Sequence, residues 1–333
     1  MIPKAEIHVH IEGTAHPELV RKYAQKNSVD LTGLFASDGA YVWSDFTSFI
    51  AAYDRASSVF CSEEAYCDLA YDYAKRCAAE GAIYLEVFAS PDHAAEAGLS
   101  YRAYIDGLDA GFAAAETAYG IVARIIVVGV RHLGPETVAE AARQAVAQPH
   151  PRVTGFGMAG DERFGEVADY ARAFAIAGDA GLGLTVHAGE LAGPESVRAA
   201  LDHLPVNRIG HGVRAIEDAD LVRRLADEAI TLELCPGSNI ALGLYPDRQS
   251  HPLKHLLQAG IRVTLNSDDP PFFHTTIGAE YAAAARLDGI DEQMVRQFTR
   301  NALDAAFIDA PLRSILIGRL DYAAKDIPPK QTL

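Results

Sequence analysis

The chain has 333 residues, 49% hydrophobic and 22% charged, enough apolar material for a large buried core and too much for a disordered polymer. Its 29 basic and 45 acidic residues give a formal charge of −16, which repels phosphate backbones and anionic membrane surfaces. Neither nucleic acid nor membrane is expected as a partner, and no run approaches the ~18 apolar residues of a spanning helix.

In chain order, the start MIPKAEIHVHIEG is strand-like and lacks a basic-then-apolar leader pattern, so no signal peptide is expected. Apolar runs rich in Val and Ile follow at Ala5–His10, Ile83–Phe88, Arg124–Val130, Val153–Phe156, Gly183–His187, Arg208–His211, Thr231–Cys235 and Arg262–Asn266. Such nearly continuous runs predict strands buried on both faces. Helical periodicity fills the gaps at Glu63–Glu80, Tyr101–Tyr119, Glu136–Ala147, Gly165–Ala180, Glu195–His203, Asp218–Glu228 and Pro252–Ala259. Pro17–Lys26 and Asp45–Phe60 form a helical insertion after the first strand, and Glu292–Ala306 and Pro311–Arg319 extend the C-terminus. Cys61, Cys67, Cys77 and Cys235 form no C-x-x-C pair and fit a reducing, cytoplasmic setting. No linker divides the chain. The expected fold is α/β, a single (β/α)8 TIM barrel over 1–333 with the insertion after strand 1 and C-terminal helices. An open doubly wound sheet is the alternative, but it normally carries a glycine-rich turn after its first strand, and here that strand ends in histidines.

Those histidines open the chemical argument. His8 and His10 are two apart, so on a strand they share a face and can hold one cation. The fifth strand ends in His187-Ala188-Gly189-Glu190, the sixth in His211-Gly212, and the eighth in Asn266-Ser267-Asp268-Asp269-Pro270. In a barrel these ends meet on the face where active sites lie. Taken singly, His211 reads equally as a core histidine, and Asp268 and Asp269 as a helix cap before Pro270. Other chemistries find no support. His16-Pro17-Glu18 lacks the later P-C-x-x-C of cytidine-type deaminases and reads as a helix start. There is no P-loop and no H-E-x-x-H, and no serine sits in a nucleophile elbow.

The chain resembles the adenosine deaminase family of metal-dependent amidohydrolase barrels. The resemblance rests on KAEIHVHIEG at 4–13, MAGDE at 158–162, HAGE at 187–190, GHG at 210–212, CPGSN at 235–239 and NSDDP at 266–270, spread over nearly the whole chain. DFTSF at 45–49 and RHLGPE at 131–136 add to it. It implies one Zn²⁺ per chain on His8, His10, His187 and Asp268, with an open position for water. It further implies Glu190 as proton donor to N1 of a 6-aminopurine, and His211 and Asp268 acting on the attacking water. Asp269 would meet N7, the Gly160 N–H would meet N3, and His10 would border the substrate. A closed structural zinc site, or a barrel that only binds purine, needs neither Glu190 nor His211.

Substrate choice turns on Glu12. Typical adenosine deaminases carry Asp there, reaching a ribose hydroxyl, whereas Glu also occurs in the adenine deaminase branch. Gly157 likewise stands where many adenosine deaminases carry Asp. The run PPFFHTTIGAEY at 270–281 resembles bacterial chains of the adenosine branch. The expectation is therefore adenosine and 2′-deoxyadenosine, with adenine, or a modified adenine, as the alternative. Phe46, Phe272, Phe273 and Trp43 are candidates to cover a bound base, and the 17–60 insertion a candidate lid.

Overall fold

A computed structural model gives the fold and describes residues 2–325. Eight strands form one parallel sheet in chain order: β1 (Lys4–Glu6), β2 (Ala82–Ala89), β3 (Val122–Val130), β4 (Val153–Ala159), β5 (Gly183–Ala188), β6 (Arg208–His211), β7 (Thr231–Leu234) and β8 (Arg262–Leu265). Helices stand between successive strands, so the sheet curls into a (β/α)8 barrel with its core between strands and outer helices. The expected expanse of 1–333 includes Met1 and 326–333, which lie outside the described residues. Among the described residues no helix is long and apolar enough to cross a membrane.

The barrel closes between β8 and β1 by a seam rather than a regular ladder. Asp268 donates its N–H to the His8 carbonyl at 3.3 Å and accepts from the His10 N–H at 3.0 Å. Below it, the Ile7 N–H bonds Asn266 Oδ1 at 2.9 Å and the Ser267 N–H bonds Glu6 Oε1 at 2.6 Å. The expected first strand, Ala5–His10, is therefore regular only to Glu6. Beyond it the backbone turns its hydrogen bonds to Asp268 and, through Val9 and Ile11, to Phe88.

The insertion after β1 holds α1 (Pro17–Asn27) and α2 (Phe46–Ser57), followed by α3 (Glu63–Ala79). Asp45 starts α2 with a capping box: its carboxylate accepts the Ser48 N–H, and the Ser48 hydroxyl accepts the Asp45 N–H. After β2 comes α4 (Pro91–Glu96), too short to show helical periodicity in the sequence. The expected helix Gly165–Ala180 is instead a 3-10 turn, Val167–Tyr170, followed by a helix over Ala171–Asp179. Arg131 takes the carbonyls of Phe164 and Gly165, which an earlier helix start would need. At the C-terminus, helices run over Glu292–Ala305 and Ala310–Lys325.

Candidate functional site

The strand ends bring His8, His10, His187 and Asp268 together, with one donor atom from each within 4.8 Å of all the others. His8 and His10 come from the segment after β1, His187 from the end of β5, and Asp268 from the turn after β8. Outer hydrogen bonds fix which nitrogen of each ring faces inward. His8 Nδ1 donates to Glu233 Oε2 at 2.8 Å, and His187 Nδ1 donates to the Met158 carbonyl at 3.0 Å. The Nε2 of these two rings thus faces the centre, where it offers a lone pair once the ring is neutral. His8 Nε2 is buried without a hydrogen-bond partner, and His10 Nε2 and His187 Nε2 approach to 3.1 Å. Asp268 Oδ1 sits 3.4 Å from both His8 Nε2 and His10 Nε2. Buried lone pairs converging with a carboxylate form a donor set for a divalent cation, and N₃O ligation suits zinc. A second grouping joins His8, His211, Cys235 and Asp268. In it burial, with no cation bound, pushes the Cys235 thiol well above its ordinary value.

The histidines divide by their neighbours. Burial lowers His10 to about 4 and His211 to about 3, and holds His187 well below its usual range. Burial works against the His8 imidazolium too, but the carboxylates of Asp268 and Glu233 outweigh it and carry His8 up to about 9. That negative potential attracts any cation, a proton or a metal ion alike. Burial also opposes the Asp268 carboxylate, yet the bond from His8 and the surrounding imidazoles keep it well below the usual carboxylate range.

Beside this centre lie the groups suited to acid–base work. Glu190 Oε1 is 3.5 Å from His211 Nδ1, and His211 Nε2 is 3.9 Å from Asp268 Oδ2. Burial, with the charges of Asp268 and Glu162, pushes Glu190 well above the usual carboxylate range. Burial and the adjacent Asp268 do the same for Asp269, whose Oδ1 is buried without a partner. His211 and Asp268 both adopt left-handed backbone, with φ of 58° and 63°, a conformation costing about 1–3 kcal/mol in a non-glycine residue. Gly160 has φ of 97°, and a Cβ there would lie 2.8 Å from His132 Nδ1, so the position needs glycine.

These residues face a cavity of about 620 Å³ including its open mouth, within the ordinary range for small-molecule sites. His10, Gly160, His187, Glu190, His211, Asp268 and Asp269 line it. From the insertion, α2 adds Phe46, Phe49, Ile50, Tyr53 and Asp54, and Phe273 adds an aromatic wall. Phe272 is not in that wall; it stacks on Tyr41 with ring centroids 3.8 Å apart. Trp43 is also absent from the lining, its indole N–H bonding the Phe272 carbonyl at 3.2 Å. Nor does Glu12 line the cavity. It is 1% exposed, and its oxygens accept the hydroxyls of Tyr104 at 2.5 Å and Tyr53 at 3.2 Å.

Sequence reasoning missed three supporting residues: Glu162 and Asn239 end the runs MAGDE and CPGSN, and Glu233 lies in no motif. Glu233 ties His8 to the barrel interior, where Arg208 lies 2.6 Å from both Glu86 and Glu233. Its signal is a carboxylate inside the apolar strand TLEL, a position that burial forbids without partners. Glu162 accepts the backbone N–H groups of Gly189, Glu190, Leu191 and Ala192 and so sets the loop that aims Glu190. Asn239 lies between Glu190 and His211, at 3.5 and 3.4 Å.

A family model described as Adenosine deaminase matches residues 3–323. An adenine deaminase of Chelativorans sp. (strain BNC1) is 56% identical over 320 residues, covering 96% of this chain and 98% of that protein. An adenine deaminase of Sinorhizobium medicae (strain WSM419) is 54% identical over 319 residues, with 96% and 98% covered. The crystal structure of adenine deaminase from Arthrobacter aurescens is similar to this fold with a TM-score of 0.89 and 27% identity, covering 98% of this chain and all of that one. These findings overturn the expectation of adenosine, which rested on the run at 270–281, and favour its alternative.

Proposed function

The chain belongs to the adenosine deaminase family, within the metal-dependent amidohydrolases, and from that premise we propose that it is an adenine deaminase. The reaction is hydrolytic: adenine and water give hypoxanthine and ammonia. The observation that carries this reading is identity above one half, over nearly the full length, to proteins named adenine deaminase. The tyrosine-bound Glu12 supports it, because it is buried and does not line the cavity in which a sugar would have to lie. We read residues 1–333 as one hydrolase domain.

His8, His10, His187 and Asp268 would hold one zinc ion. When bound, the ion supplies a nucleophile at neutral pH by lowering the pKa of water to about 7. Glu190 is kept protonated by burial and by its acidic neighbours. It delivers that proton to N1 of the base, which withdraws electrons from C6 and opens it to attack. His211, neutral because it is buried, accepts a proton from the attacking water, and Asp268 orients that water. Asp269, favoured in its protonated form, donates to N7, and the Gly160 N–H meets N3. Collapse at C6 then expels ammonia and leaves the 6-oxopurine. Phe46, Phe49 and Phe273 exclude bulk water from the flat base.

The test is ammonia release by zinc-loaded protein with adenine and adenosine in parallel. Turnover of adenine with silence on adenosine is expected. Silence on adenine overturns the reading.

A further inference from the structure

We propose that Gly13 is a positioning residue for the reaction: the space left by its missing side chain seats the Asp269 carboxyl at the N7 edge of the base. The inference rests on the adenine reading above and deepens it. Gly13 lies in the buried 3-10 turn Glu12–Thr14, which follows the segment that carries His8 and His10. A Cβ built on it would overlap Asp269 Oδ1 and stand 2.6 Å from Cγ and 3.0 Å from Cβ of the same residue. The three atoms nearest to that Cβ all belong to Asp269. The backbone at Gly13 is not left-handed, unlike that of Gly160, so the demand for glycine is one of space alone. Asp269 Oδ1 is buried without a hydrogen-bond partner, as an oxygen set against a bare Cα would be. Asp269 nonetheless lines the cavity, so its carboxyl rests one oxygen on Gly13 and keeps the other for the substrate.

Both sides of this contact are held. The Asp269 carbonyl accepts the N–H groups of Phe272 at 2.9 Å and Phe273 at 3.1 Å, and Asp268 before it is fixed in the barrel seam. On the other side the Thr14 N–H bonds the carbonyls of His10 and Ile11, both at 3.1 Å, and Arg76 donates to the Thr14 carbonyl at 2.7 Å. The hydroxyls of Tyr53 and Tyr104 hold the Glu12 side chain. Glu12 thus stays out of the cavity yet fixes the turn on which Asp269 rests. A methyl group at residue 13 would drive Oδ1 out to an ordinary carbon–oxygen contact of about 3.3 Å, a shift of more than about 1 Å. With both backbones held, rotation of the Asp269 side chain supplies that shift, and the carboxyl leaves the N7 position. A misplacement of ~1 Å can cost roughly 10²-fold in rate.

The experiment is a double-mutant cycle on the zinc-loaded enzyme, read as kcat/KM for adenine with Gly13→Ala, Asp269→Ala and the two together. Gly13→Ala is expected to keep its zinc and to lose roughly 10²-fold. Asp269→Ala is expected to lose as much or more. The double variant is expected to match Asp269→Ala within about threefold, because no carboxyl is left to displace. A glycine that served the fold alone would instead lower the double variant by the product of the two losses. Should Gly13→Ala fail to fold, the double variant is expected to fold, since removing the carboxyl relieves the overlap. With a wild type active on adenine, three results overturn this inference and leave the functional reading standing: losses that multiply, a Gly13→Ala enzyme within about twofold of the wild type, or a double variant that fails to fold as Gly13→Ala does. A wild type inactive on adenine overturns both.

Discussion

The floor and the roof of the cavity are held in different ways. The floor is made of strand ends: His8, His187 and Asp268 hang from the barrel, and their outer atoms are taken by Glu233, by the Met158 carbonyl and by the seam backbone. The roof is made of α2, an inserted helix whose Phe46, Phe49, Ile50 and Asp54 reach over the opening. In the floor the outer polar atoms of the would-be ligands have fixed partners while inner ones such as His8 Nε2 are left without, as groups that must meet a cation and a proton within fractions of an ångström require. In the roof apolar side chains predominate, and what they contribute is shape and exclusion of water. On the proposed function, chemistry is thus carried by one half of the cavity and recognition of the substrate's outline by the other.

Four experiments would break or sharpen that division. The largest effect is expected from the cation site: exhaustive chelation, or His187→Ala, abolishes ammonia release, and for the wild type Zn²⁺ restores it at one ion per chain by atomic absorption. Next, Glu190→Gln keeps its zinc but loses roughly 10²–10⁴ in kcat, because the amide has no proton to give; an unchanged kcat would remove Glu190 from the proton-donor role. One layer further out, Glu233→Gln weakens zinc binding roughly 10–100-fold in a chelator competition, since His8 loses the carboxylate that orients it. The smallest effect belongs to the roof. Ile50→Ala is expected to raise KM for adenine by roughly fivefold with kcat within about twofold, the pattern of lost uniform binding. A large fall in kcat for that variant would show that the roof takes part in chemistry.

The floor was legible in the sequence and the roof only in part, since the insertion and Phe46 were expected near the base but Phe49, Ile50, Tyr53 and Asp54 were not. His8, His10, His187 and Asp268 stand at predicted strand ends, and barrel geometry alone makes such ends converge. Glu12 pointed to the adenine branch, but its place outside the cavity could not be read: its partners Tyr53 and Tyr104 lie 41 and 92 residues away, and no local pattern reveals that both hydroxyls point at it. The short helices α4 and Pro236–Ala241 were overlooked because six residues are too few to show a helical period. The substrate preference failed for a related reason. The run at 270–281 contributes Phe273 to the cavity, but Phe272 points away to stack on Tyr41, so its resemblance says little about the pocket.

The seam has a consequence for how the protein comes into being. Hydrogen bonds that close the barrel join residues 259 and 261 positions apart, and Asp268, next to them, completes the ligand set begun at His8. A ribosome adding about 5–20 residues per second therefore needs tens of seconds between making the first ligands and the last. Over that interval the nascent chain carries half a binding site, and the ion can be captured tightly only when synthesis is nearly over. Metal loading of the proposed site would then be a late checkpoint on a finished barrel, not a template on which the early strands assemble.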